Sequence, residues 1–219
     1  MKTAAIALAL SAAISIAAAG AAKAHPHVFV EARSEIIFDE AGRVTGVRHS
    51  WRFDEAFTAF AIQGLDQNGD NELTTEELQP LAKVNVESLK EFDYFTYLFQ
   101  GDDALTFKEP EEYWLDFYDG RLTLFFTLPM DKPVISDGGA FTLEVYDPTY
   151  FVAYEMTPDT PFALVDAPAG CTLEFTPPPE LDTGTAAALA QIPSSQRDIP
   201  DEFQSVTETL SNTATVTCN

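Results

Sequence analysis

Cationic side chains, cysteines and histidines are all scarce in this sequence. Twelve lysines and arginines face 35 aspartates and glutamates, a formal net charge of −23. Two of the twelve, Lys2 and Lys23, fall within the first 24 residues. Phosphates and anionic lipid surfaces are bound through cations, so nucleic acid and charged membrane surfaces are excluded as partners. There is no GxSxG element and no CxxC pair, and three histidines in all leave little for a hydrolase to work with. Nothing in the spacing of the many carboxylates singles out an acid–base dyad. The chain reads as a binding protein rather than an enzyme. Beyond residue 24 it also lacks any apolar run long enough to span a bilayer.

What is present begins with a leader. Lys2 gives a positive start, residues 4–19 are almost wholly Ala, Ile and Leu, and Ala22-Lys23-Ala24 supplies the small-x-small pattern of a signal-peptidase site. Residues 1–24 are therefore expected to be a signal peptide and the mature protein to be periplasmic, not membrane-spanning after cleavage. Seventeen phenylalanines and seven tyrosines give the remainder ample core material. In an oxidising compartment the isolated pair Cys171 and Cys218 is expected to form one disulfide that pins the last strand to the body of the domain.

Residues 27–38 are rich in β-branched and aromatic side chains, Asp39–Gly42 is a turn signal, and Arg43–Phe53 reads as a returning strand. From Asp54 the period becomes helical, with Asp54 and Glu55 suited to a helix N-terminus. Further helices are predicted over Thr75–Lys83 and Val86–Leu98, the latter from the spacing of Leu89, Phe92, Tyr94, Phe95 and Leu98. Strands follow at Leu105–Lys108, Tyr113–Tyr118, Arg121–Leu128, Phe141–Tyr146, Tyr150–Met156, Cys171–Phe175 and Thr213–Cys218. Asp119-Gly120 marks a hairpin turn, and Thr185–Gln191 a short helix. The expected class is α+β. A mostly antiparallel, sandwich-like β domain (25–53 and 101–219) carries a helical, EF-hand-like insert at 54–100.

That insert holds a calcium-loop pattern at Asp66–Glu77. Asp66, Asn68 and Asp70 occupy positions one, three and five. Glu72 at seven gives its backbone carbonyl, Thr74 at nine acts through a water, and Glu77 at twelve offers two oxygens. A hard cation wanting six to eight oxygens accounts for the alternation. Position six, ordinarily glycine because the chain turns there with positive φ, is Asn71, the residue that best tolerates that conformation after glycine. A lone hand of this kind is expected to act as a structural clamp.

A second metal site is expected at the mature N-terminus. Cleavage after Ala24 exposes His25, followed by Pro26 and His27, and side chains two apart on an extended chain share a face. The two imidazoles and the new α-amine could chelate zinc, nickel, cobalt or copper, between which ligand type alone does not choose. His49 is a further candidate, though strand register sets it some five residues along the sheet from His27. Asp54, Glu55 or Asp147 could complete the shell.

Ala24-His25-Pro26-His27-Val28-Phe29-Val30, Trp51-Arg52-Phe53-Asp54-Glu55, the Asp66–Glu77 loop and Tyr146-Asp147-Pro148-Thr149-Tyr150-Phe151 together resemble the DUF1007 family of bacterial periplasmic proteins. The resemblance covers most of the chain, including the late cysteine pair, and His25, His27, Asp147 and Tyr150 fall on its motifs. It implies a periplasmic accessory associated with nickel/cobalt-type membrane permeases. The expected function is thus capture or delivery of a transition metal for a membrane transporter, with calcium as a structural ion. The alternative is a calcium-stabilised interaction module without transition-metal binding.

Overall fold

Alternation of apolar and polar residues decides the first hairpin. In β1 (Val28–Phe38) every second residue, from Val28 through Val30, Ala32, Ser34 and Ile36 to Phe38, is buried, and β2 (Arg43–Phe53) buries Val47, His49, Trp51 and Phe53. The Asp39 carboxylate closes the turn, accepting from the backbone N–H of Ala41 and Arg43 and from the Arg43 guanidinium. The computed structural model describes residues 25–135, 139–193, 196 and 199–218. The expected signal peptide lies outside the described residues.

Two sheets enclose one core. The first is built from β5 (Tyr113–Tyr118), β6 (Arg121–Ile135), β2, β1 and β8 (Val152–Met156), in that order, with β9 (Phe162–Val165) also paired to β1. The second runs β10 (Cys171–Thr176), β11 (Asn212–Cys218), β7 (Ala140–Val145), β3 (Thr96–Gln100), β4 (Asp103–Leu105). Val30, Ile36, Trp51 and Phe126 from the first meet Leu98, Phe141, Leu143 and Val216 from the second in a continuous apolar cluster. Asp119 and Gly120, both with positive φ (51° and 73°), make the two-residue turn between β5 and β6. Pairing is mostly antiparallel, as expected. The exceptions are β8 and β9, which lie parallel to β1 on its free edge, Val28 opposite Val152 and Ser34 opposite Phe162.

The helices stand between β2 and β3. Helix α1 (Glu55–Ala61) is capped by Asp54, and α2 (Thr75–Leu89) by a reciprocal Thr74–Glu77 capping box. Leu78, Ala82 and Val86, four residues apart, form the buried stripe of α2. The break expected between two helices near Val86 is absent, for α2 continues through Pro80 to Leu89. The helix expected up to Leu98 is replaced by a tight turn over Lys90–Phe95 and then by β3. Asp93, Tyr94 and Phe95 all have positive φ (50°, 55° and 49°). Such a run costs roughly 1–2 kcal/mol per residue, and burial of the Tyr94 and Phe95 rings offsets it. Two further helices, α3 (Thr183–Leu189) and α4 (Asp201–Thr207), border a small second core of Leu189, Ile192 and Ile199. Among the described residues no helix is long and apolar enough to cross a membrane.

Cys171 and Cys218 are directly paired across β10 and β11 and are joined by a disulfide. A bond of this kind fits an oxidising, non-cytoplasmic compartment. It closes a loop of 47 residues, for which the chain-entropy account gives a stabilisation of about 4 kcal/mol. Reduction, or a Cys171→Ala/Cys218→Ala variant, should lower the unfolding free energy by up to that amount without changing the far-ultraviolet circular dichroism. Denaturant titration with and without reductant measures it.

Candidate functional site

Asp147 sets the geometry of the region that the sequence motifs single out. Its side chain is buried. Oδ1 accepts from the Thr149 N–H (2.8 Å) and hydroxyl (2.7 Å), and Oδ2 accepts from the Val152 N–H (2.9 Å). Burial pushes the carboxyl up, against the downward pull of these hydrogen bonds. The Thr207 hydroxyl of α4 donates to the Pro148 carbonyl from outside (2.8 Å). The bend so formed presents the Phe151 carbonyl to the head of β1, where it accepts from His27 N–H (2.8 Å) and Val28 N–H (3.2 Å).

This contact brings the two N-terminal imidazoles together. His25 and His27 have ring centroids 4.8 Å apart, and the His27 ring lies 4.7 Å from that of Phe151. Two imidazoles on one ion, with metal–nitrogen bonds of about 2.1 Å, stand roughly 5 Å apart by centroid. His25 is buried. His27 Nε2 is buried too and has no hydrogen-bond partner among the described residues. Beside His27 opens a shallow cleft of ≈ 480 Å³, lined also by Phe29, Asp54, Glu55, Ala56 and Arg121. Asp54 is committed, accepting from Phe29 N–H and, as the α1 cap, from Phe57 N–H. Arg121 is held by the Phe53 and Arg52 carbonyls and by Glu31. That leaves Glu55 as the exposed carboxylate of the cleft.

Neither of the other expected partners joins the pair. Asp147 is occupied by its own bend. His49 lies in the core, stacked on Phe126 (4.8 Å). There it bridges the sheets: Nδ1 is 2.9 Å from the Ser34 hydroxyl, and Nε2 is 3.2 Å from the Thr96 hydroxyl. Because Thr96 donates to the Tyr94 carbonyl, His49 Nε2 carries the proton and donates to Thr96, while Nδ1 accepts from Ser34. Burial lowers its pKa to about 3. Both nitrogens being spent, it has none to offer a metal.

In the Asp66–Glu77 loop the side chains hydrogen-bond to nearby backbone. Asn71 adopts φ 65°, the left-handed conformation required at position six. Asp66 accepts from the N–H of Gly69 and of Asn71, Asn68 from Asp70, and Asp70 from Glu72. Glu77 Oε2 is taken by the Thr74 N–H and hydroxyl in the capping box. Among the described residues no group of three or more His, Cys, Asp or Glu side chains is gathered to hold a metal. The capping box uses Oε2 of Glu77 alone, and no hydrogen bond among the described residues engages Oε1. Thr74 is engaged as the helix cap, and the Glu72 N–H donates to Asp70.

A family model described as Protein of unknown function (DUF1007) matches residues 10–218. The chain belongs to the DUF1007 family. It is similar to an uncharacterized protein of Haemophilus influenzae, 28% identical over 131 residues, which cover 59% of this chain and 61% of that protein. It is also similar to an uncharacterized 15.5 kDa protein in the trpE 3′ region of Spirochaeta aurantia, 29% identical over 103 residues (47% and 73% of the two chains). The DUF1007 match spans both the imidazole pair and the Asp147 bend.

Two outcomes follow. The unfolded-state imidazole titrates near 6.5 and the folded one near 3, so the stability His49 contributes is complete above about pH 6.5 and drains away as pH falls toward 3. From about pH 7 to about pH 5 the protein should lose about 2 kcal/mol that a His49→Gln variant does not lose, as measured by denaturant unfolding at both pH values. Asp147→Ala, which strips acceptors from the part-buried Thr149 and Val152 N–H groups, should cost about 1–3 kcal/mol, and Asp147→Asn less.

Proposed function

We propose that the protein is a periplasmic metal-binding accessory that captures or delivers a transition metal, zinc, nickel, cobalt or copper, for a membrane transporter. In this reading it is a carrier and not an enzyme, and calcium in the Asp66–Glu77 loop serves structure. The observation that carries the proposal is the imidazole pair. Two rings stand at a separation suited to one ion, and His27 Nε2 is buried without a hydrogen-bond partner among the described residues. A buried, unsatisfied nitrogen is costly in a folded protein unless something coordinates it. The disulfide supports the compartment. Cleavage after Ala24 would add the His25 α-amine as a third nitrogen, and Glu55 is the nearest uncommitted carboxylate of the adjoining cleft. Two nitrogens or three suit first-row metals better than calcium or magnesium.

A second reading is a calcium-stabilised interaction module. It draws support from the near-parallel stack of Trp114 on Phe125 (5.0 Å), with Trp114 40% exposed. One experiment separates the two. Protein purified from the periplasm, its N-terminus verified by mass, is analysed for metals before and after a His25→Ala/His27→Ala substitution. The accessory reading expects one transition metal per chain, lost in the double variant, with calcium retained. Unchanged affinity in the variant overturns it, and calcium alone in the unaltered protein favours the module.

A further inference from the structure

The Asp147 bend also borders a second cavity, of ≈ 460 Å³, which shares no lining residue with the cleft beside His27. Three tyrosines contribute to its lining, of which Tyr154 packs its ring in the core against Trp51 (4.9 Å) and Phe95 (5.9 Å). Tyr146 follows β7, Tyr150 turns in the bend and Tyr154 stands in β8. Spaced four apart in sequence, they would share one face of a helix. Here the bend sets Tyr146 and Tyr150 on the cavity instead, and the Tyr97 ring backs that of Tyr146 at 5.1 Å. Tyr150 holds φ 53°, a left-handed conformation that a bulky residue seldom adopts. It is kept there by the N–H it donates to the Asp147 carbonyl and by packing on the small core of Leu189, Ile192 and Ile199. Backbone outliers of this kind concentrate where a ligand is held.

The chemistry of the lining narrows the ligand. No lysine or arginine contributes to it, so nothing neutralises an anion. Burial raises the Tyr146, Tyr150 and Tyr154 hydroxyls above the usual phenol range, so the rings stay neutral donors. Neutral phenol rings present negative faces, and a cation within about 6 Å of a ring centroid is attracted to them. Glu180 adds an exposed carboxylate to the lining, and the chain as a whole carries −23. A bare metal ion is poorly served by protonated phenols, whereas a cation with an apolar surface satisfies both rings and rim. We propose that this cavity binds a small organic ammonium cation between Tyr146 and Tyr150, with Glu180 as its counter-charge. This assignment is independent of the transition-metal reading.

The probes are choline chloride and its uncharged isostere 3,3-dimethylbutan-1-ol, titrated into the purified protein and followed through the tyrosine ring signals by NMR. Choline should saturate, and the isostere should bind at least about tenfold more weakly, the size of one cation–π contact. Tyr146→Phe should keep affinity within about threefold, because the ring face remains. Tyr146→Ala and the exposed Glu180→Gln should each weaken choline severalfold or more. Glu180→Gln removes charge without touching the core, so it reports even if Tyr146→Ala fails to fold. No saturable choline binding at millimolar concentration, or equal binding of the isostere, or a Glu180→Gln variant of unaltered affinity, would overturn the assignment.

Discussion

A single buried carboxylate organises the region around both candidate sites. Asp147 is taken out of water and repaid by three hydrogen bonds from its own next five residues. The value of these bonds is geometric. They fix the bend that aims the Phe151 carbonyl at the N–H groups of His27 and Val28. The same contact starts the parallel register of β8 against β1. Phe29 and Val30 are also tied to Asp54 and Phe53, so what the bend adds is the hold on His27 and Val28 just before them. The tyrosine cavity depends on the same turn, since Tyr146 and Tyr150 stand on either side of it.

The core has a polar counterpart to that bend. His49 sits where an apolar residue would serve packing equally well, yet it links Ser34 in one sheet to Thr96 in the other through a directed chain of hydroxyls. Dispersion holds the sheets together in many relative positions. A line of hydrogen bonds, each satisfied only at one spacing, selects among them. The left-handed turn at Asp93–Phe95 delivers Thr96 to that line, so an unfavourable backbone and a neutral buried imidazole are two parts of one arrangement.

Local patterns were readable in the residues, and distant pairings were not. The β1–β2 hairpin, the Asp119-Gly120 turn, the Thr75 start of α2 and the left-handed Asn71 all follow from neighbours within a few positions, while the disulfide follows from there being only two cysteines. The parallel placement of β8 and β9 on β1 joins segments more than 120 residues apart, and no periodicity announces it; β9 itself was not anticipated. The Val86–Leu98 stretch misled because Leu89, Phe92, Phe95 and Leu98 carry a helical period, while the reversal at Asp93 leaves no mark in apolar spacing. At the candidate site the closeness of His25 and His27 was legible from their two-residue interval. His49 carried its own signal, for it shares the inward phase of Val47, Trp51 and Phe53. Asp147 was assigned to a metal because a carboxylate's commitment to its own backbone is invisible without coordinates.

The order of strands in the second sheet bears on how the protein is made. Strand β11 comes later in the chain than β7 and β10, yet it lies between them. The β7–β3–β4 part can pair as soon as it is made, but until residues 212–218 arrive β7 and β10 each present an unpaired edge to the gap between them. The layer is therefore completed last, by the strand that the Cys171–Cys218 crosslink ties down.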